Sequence, residues 1–173
     1  MKVDGRHYRS IWLEDGERCV FVIDQTLLPF KFQIRQLRTT AQTIDAIATM
    51  VVRGAPLIGA TAACGLFLAA QEDSSDEYLR DAANRLLAAR PTAANLAWAL
   101  KRILPQLLSE PINARAEAAR SEAQNICDED VGINSQIGTH GLQLLKEHYH
   151  LRKKRGPFNI LTHCNAGWLA TVD

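Results

Sequence analysis

The sequence predicts a mixed α/β protein: an N-terminal antiparallel β-meander plus a helical domain, followed by only the start of a parallel-sheet domain. Three observations lead there. Up to Arg35 the chain reads as strands, two β-branched and aromatic runs followed by one alternation of apolar and polar residues. From Thr39 the apolar positions move to helical spacing and keep it for most of the chain. After Gly156-Pro157, a short apolar run leads into a small-residue turn, the first half of a βαβ unit.

The first two strands are Arg9–Leu13 and Cys19–Ile23, rich in β-branched and aromatic residues and joined by Glu14-Asp-Gly-Glu17, whose Asp-Gly tolerates positive φ. Phe30, Phe32 and Ile34 alternate with Lys31, Gln33 and Arg35, which predicts a third strand. Ile44, Ile47, Ala48, Val51 and Val52 then mark one helix face, with Thr40 or Thr43 available as N-cap. Arg53-Gly-Ala-Pro56 ends that helix and starts another: Gly54 suits a left-handed closing cap and Pro56 the first position of a new helix. Ser74-Ser-Asp-Glu77 has capping-box spacing and opens a helix to Arg90. Thr92 can cap the next helix, which Pro105 weakens. Pro111 precedes a long amphipathic segment from about Asn113 to Tyr149, with kinks expected near Gly132 or Gly138. These elements define a first domain, residues 1–155. Residues 156–173 then supply a strand, Phe158–Thr162, and a turn. No parallel partner for that strand occurs in the sequence, so its backbone and apolar side chains are expected to be left to water, another chain or a disordered tail.

Composition excludes several classes of function. Hydrophobic residues make up 47% and charged residues 23%, a globular balance. Twenty Lys plus Arg against nineteen Asp plus Glu leave a net charge of +1, so no global field gathers nucleic acid or anionic lipid, and any anion site is local. The basic run Arg152-Lys-Lys-Arg155 compensates a helix dipole rather than binding nucleic acid. Cys19, Cys64, Cys127 and Cys164 form no Cys-x-x-Cys pair, and the histidines lack nearby partners, so no metal and no disulfide framework is expected. A reducing cytoplasm fits, and no membrane span is expected: the uncharged stretch between Arg53 and Glu72 reads as a buried small-residue helix.

Two clusters can carry chemistry. At Val52-Arg-Gly-Ala-Pro-Leu-Ile-Gly59, open amides at a helix N-terminus and the Arg53 guanidinium converge on one small volume, an arrangement that holds phosphate. Turn chemistry alone also accounts for Gly54 and Pro56, with Arg53 capping a helix or pairing on the surface. Thr162-His-Cys-Asn-Ala-Gly167 places Cys164 at a strand end, where open α/β sheets bind ligands. There the thiol either stabilises developing charge or packs as a small hydrophobe. Arg90, at another helix junction, is either a second phosphate-binding cation or a solvated helix-end residue.

Asp24-Gln-Thr-Leu-Leu-Pro29, the Arg53 cluster, Arg90-Pro-Thr-Ala-Ala-Asn-Leu96 and the Cys164 cluster, in that order, resemble the 5-methylthioribose-1-phosphate isomerase family of methionine salvage. That superfamily also includes ribose-1,5-bisphosphate isomerases and regulatory subunits of the translation initiation exchange factor. The resemblance implies a small N-terminal domain and a larger Rossmann-like one, a sugar-phosphate substrate, no cofactor and a homodimer at full length. It implies substrate binding by Arg53, Gly54, Ala55 and Arg90, and transition-state stabilisation by Cys164. The family's proton-donor aspartate has no counterpart before Asp173, and Cys64 stands where many relatives have tyrosine. The resemblance thus implies an N-terminal portion without isomerase activity of its own. A regulatory binding subunit and a ribose-1,5-bisphosphate isomerase are the alternatives; the intact Arg-Gly-Ala-Pro and Cys164 motifs favour the methylthioribose enzyme.

Overall fold

In the computed structural model, which describes residues 2–151 and 156–173, two small antiparallel sheets precede five helices. The basic run at 152–155 lies outside the described residues. β1 (Lys2–Val3) and β2 (Arg6–His7) form a hairpin closed by Asp4 and Gly5, both at positive φ. β3 (Ile11–Leu13) and β4 (Val20–Ile23) pair in the register Ile11 with Val22 and Leu13 with Val20. β5 (Ile34–Leu37) completes a sheet in the order β3-β4-β5. The third strand therefore begins where the expected one was to end. Phe30 projects 96% exposed from a turn, outside any ladder.

Helix α1 (Thr40–Ala48) is capped by Thr39, whose side chain accepts from the Gln42 amide, so the expected cap is one residue early. α2 (Ala55–Glu72) is the central helix, with fourteen of its eighteen residues buried. Alanine, glycine and threonine dominate it because α1, α3, α4 and α5 all crowd its surface. By length and composition α2 could cross a bilayer, but it is the core helix of this fold. α3 (Asp76–Ala89) is capped by Ser75, while Ser74 instead donates back to the Ala70 carbonyl. α4 (Ala94–Ser109) runs through Pro105 because Ile103 and Leu107, on either side, are fully buried and hold it against the bundle. A short turn, Ile112–Ala114, leads into α5 (Arg115–Leu151), one uninterrupted helix of 37 residues and about 55 Å.

The face that α5 buries at Ala119, Ala123 and Ile126 continues with helical spacing as Ile133, Ile137, Leu144 and Leu151, all more than half exposed. The helix overhangs the bundle there. The strand expected at Phe158–Thr162 is not formed, since no described segment offers it a ladder, and Ile160 and Leu161 are exposed. The tail beyond it is not left to water, however. A single turn, Trp168–Ala170, docks on the core, burying Ala170, Thr171 and Val172.

Glu72, the last residue of α2, ties three elements together. It accepts from the Thr40 amide and hydroxyl, both at 2.9 Å, and from the Tyr78 hydroxyl at 2.6 Å. Burial pushes its carboxyl up, but these hydrogen bonds and the Arg85 charge together hold it below its ordinary value. A depressed carboxyl stabilises the fold above its unfolded pKa and loses that contribution as pH falls through the folded one. Glu72→Gln is therefore expected to give a shallower loss of stability on acidification below about pH 4.5. Urea midpoints measured from pH 7 to 3 check this; parallel curves for the two proteins would contradict it.

Candidate functional site

The site begins where α1 stops. Thr49 closes α1, and Met50, at φ 63, takes the left-handed position that the sequence had suggested for Gly54. Gly54 instead precedes α2 as its N-cap, at φ 108, a conformation that excludes most side chains. No side chain caps α2, so amides of its first turn stay open at the positive end of the helix dipole. Ala55 is exposed at that end. Arg53 is exposed too, and among the described residues its guanidinium has no hydrogen bond or ion pair.

The C-terminal tail is fastened beside this helix end by partners distant in sequence. Gln25, 7% exposed, donates from Nε2 to the Leu169 carbonyl at 2.6 Å, while its own amide donates to the Val51 carbonyl. Ser10 donates from its amide to the Val172 carbonyl at 2.8 Å and from its hydroxyl to the Trp168 carbonyl at 3.0 Å. The Val172 amide donates to Asp130 Oδ2 at 2.7 Å. Asn165 Nδ2 reaches the Arg53 carbonyl at 3.4 Å. Cys164 is the residue before this Asn165. It is exposed and held at φ 66, a conformation uncommon outside glycine and concentrated at functional sites. His163 is exposed alongside it.

Arg90 closes α3, with its carbonyl accepting from the Ala93 amide at 3.0 Å. Ala93, not Thr92, is the N-cap of α4, and no side chain caps that helix either. Pro56 from the first turn of α2 and Ala94 and Asn95 from that of α4 line a single cavity of about 500 Å³. The two helices are held close at this end by Gly59, where a Cβ would lie 2.9 Å from the Asn95 carbonyl oxygen. The first turns of both uncapped helices thus border one cavity, but Arg53, Gly54, Ala55, Arg90 and Cys164 are not among the residues that line it. Among the described residues no hydrogen bond or ion pair joins Arg90 to Arg53 or Cys164.

Two residues of this arrangement, Ser10 and Asp130, were not singled out from sequence, and Gln25 was noted only as part of the Asp24–Pro29 motif. Asp130 lies on α5 and lines the same cavity. Burial pushes its carboxyl up, opposed by hydrogen bonds from the Val172 amide and Asn134. Of the other thiols, Cys64 is pushed well up by its hydrogen bond with Cys127 and by burial, which makes it a packing residue rather than a nucleophile. Among the described residues no group of three or more His, Cys, Asp or Glu is placed to hold a metal ion.

The Gly54 contact gives a local prediction. A Cβ at position 54 would sit 2.5 Å from the Ala170 carbonyl oxygen, on a backbone that L-residues rarely adopt. Gly54→Ala is expected to release the docked turn while sparing the helical bundle. Amide exchange at Ala170, Thr171 and Val172 should accelerate by at least about tenfold, with α2 and α4 unchanged. Unaltered exchange at those three amides would show that the tail is not seated against Gly54.

Comparison with known proteins places this geometry in context. The pattern of the Initiation factor 2 subunit family matches residues 51–172. A curated relative named methylthioribose-1-phosphate isomerase, from Acidiphilium cryptum, is 53% identical over all of this chain and 47% of its own length. The crystal structure of 5-methylthioribose 1-phosphate isomerase from Pyrococcus horikoshii superposes with a TM-score of 0.81 and 36% identity, over 96% of this chain and 46% of that one. The translation initiation factor eIF-2B subunit delta from A. fulgidus superposes with a TM-score of 0.79 and 38% identity, over 96% and 48%. The chain spans about half the length of the curated relatives it matches. With some seven-tenths of its residues inside the matched segment, it belongs to the Initiation factor 2 subunit family.

Proposed function

We propose that this chain supplies the N-terminal, phosphate-binding half of an aldose-ketose isomerase that converts 5-methylthioribose 1-phosphate to 5-methylthioribulose 1-phosphate. The observation that supports the reading is the hydrogen bond from Asn165, the neighbour of Cys164, to the Arg53 carbonyl just before the uncapped N-terminus of α2. Arg53, the backbone at Gly54 and Ala55, and Arg90 hold the phosphate; Cys164 stabilises charge developing at the sugar. Residues 156–173 open the second, Rossmann-like domain of the longer relatives, and the complete protein works as a cytoplasmic homodimer. The relatives' names support the substrate, and the match over the whole chain at 53% identity supports the assignment above the regulatory-subunit alternative.

The chemistry requires such residues. A phosphate on the anomeric carbon prevents spontaneous ring opening, so the ring oxygen must be protonated before hydrogen moves from C2 to C1. Fixing the phosphate converts binding energy into orientation of the sugar, and a positioned thiol lowers the energy of the charged species that follows. The proton donor implied by the family has no counterpart in this chain, so the 173-residue protein is expected to bind substrate without turning it over.

Calorimetric titration of the chain with 5-methylthioribose 1-phosphate tests the phosphate assignment. Arg53→Ala is expected to weaken binding by about 1.5–3 kcal/mol, the scale of a charge-assisted hydrogen bond. Identical affinity of the two proteins would remove Arg53 from the site.

A further inference from the structure

α5 is longer than the bundle it belongs to. Its first turns are buried against α2 and α4 at Ala119, Ala123 and Ile126, but the same face beyond Asp130 presents Ile133, Ile137, Leu144 and Leu151, which are 56%, 63%, 66% and 80% exposed. Ile126 and Ile133 are seven residues apart, as are Ile137, Leu144 and Leu151, and four residues separate Ile133 from Ile137. That is the a/d spacing of a helix packed along another helix. No described part of the chain supplies the second helix. The tail lies elsewhere: the Phe158 ring sits 6.3 Å from that of Tyr149, on the neighbouring flank of α5, and Ala170, Thr171 and Val172 are buried on the core. A continuous apolar stripe left open in this way marks an interaction surface.

Two further features say what covers it. Gly141 lies between Ile137 and Leu144, and a Cβ there would meet nothing within 4 Å. Packing within the chain therefore gives no reason for a residue that weakens a helix interior, whereas a second backbone approaching closely does. Charge also changes sign along the stripe. Asp128, Glu129 and Asp130 stand at its start, while Lys146 and then Arg152-Lys-Lys-Arg155 stand at its far end in the sequence. Asp128 and Glu129 are answered by Arg9 and Arg102 within the chain, which leaves Asp130 as the carboxylate in excess. A parallel pair of such helices would set basic run against basic run; an antiparallel pair sets it against the acidic end.

We propose that the exposed half of α5 is the contact surface between two copies of this chain, paired as antiparallel helices about a two-fold axis beside Gly141. Ile137 of each copy then meets Leu144 of the other, because the two residues lie equally far on either side of the axis, and the acidic turn at 128–130 comes level with Leu151. One face serves both copies, so the assembly closes at two. The proposal is independent of the isomerase reading, since this half of α5 holds none of Arg53, Arg90 or Cys164.

Sedimentation velocity of the 173-residue chain over a concentration series tests it. A reversible monomer–dimer equilibrium is expected, and Ile137→Asp should raise its dissociation constant at least about a hundredfold, tenfold for each copy of one lost apolar anchor. Ile137 is mostly exposed, so the variant should keep the circular dichroism spectrum of the parent. Orientation is read by a short bis-maleimide in a Cys164→Ser background, which removes the exposed thiol. Gly141→Cys is expected to cross-link into a dimer. Leu151→Cys is not, because the antiparallel pair holds its two copies about 30 Å apart. A chain that stays monomeric at every concentration would leave the stripe to a different occupant and overturn the proposal. So would a dimer indifferent to Ile137→Asp, and cross-linking at position 151 in place of 141 would overturn the antiparallel arrangement.

Discussion

Arg115→Met is expected to cost about 3 kcal/mol of stability, a large part of the 5–15 kcal/mol typical of a domain. Arg115 is 5% exposed at the start of α5, and its guanidinium donates to four acceptors. Two are the Leu108 and Glu110 carbonyls around the end of α4; the others are the Ser74 carbonyl and Asp76 Oδ1 at the start of α3. One side chain thus satisfies a helix C-terminus and anchors the next helix N-terminus. Methionine fills the volume but leaves three carbonyls without their donor, those of Ser74 and Leu108 on half-buried residues. The ion pair itself contributes little, because the Asp76 side chain is 58% exposed. Asp76→Ala should therefore cost less than about 1 kcal/mol, and Arg115→Lys should recover only a minor part of the loss, since an ammonium cannot span the fork. Urea denaturation of the three variants separates these contributions. A large loss in Asp76→Ala would mean that charge, not carbonyl satisfaction, dominates.

The second large effect concerns chemistry. When this chain replaces the matching segment of the Acidiphilium cryptum relative, Cys164→Ser is expected to lower turnover about 10²–10³-fold, the scale of losing one group aimed at developing charge. The substitution should leave the melting temperature nearly unchanged, because Cys164 is exposed and supports no core. The same exchange at Cys64 or Cys127 should do the reverse, since both thiols are buried between α2 and α5. A Cys164→Ser chimera with full turnover would return that residue to an ordinary surface position.

Much of the helical scaffold is legible in the sequence, because long amphipathic segments bury one face whatever their neighbours. α3 lies where periodicity puts it, and a helix does start beside Pro56, but at Ala55, with Gly54 as its N-cap rather than the closing cap of α1. The caps shift by a residue because several hydroxyls compete at each junction: Thr39 beside Thr40, and Ser75 beside Ser74. The β1-β2 hairpin was missed although Asp4-Gly5 carries a turn signal, because its flanking strands are only two residues long. The docked tail was not legible. Its anchors, Ser10, Gln25 and Asp130, lie 42 to 162 residues away in sequence, and nothing local to Ser10 or Asp130, or to the motif that holds Gln25, tells of a partner that distant. The motifs of the site were visible at Arg53 and Cys164, but that they meet through Asn165 is a product of tertiary structure.

The central claim is that this chain contributes one half of a sugar-phosphate isomerase site. The most direct measurement is turnover of 5-methylthioribose 1-phosphate by the chimera with the Acidiphilium cryptum relative. Activity within about tenfold of the parent relative is the expected result, since a misplacement of the site by about 1 Å would already cost more. A chimera that folds, by circular dichroism and a cooperative melt, yet shows no turnover would contradict the claim.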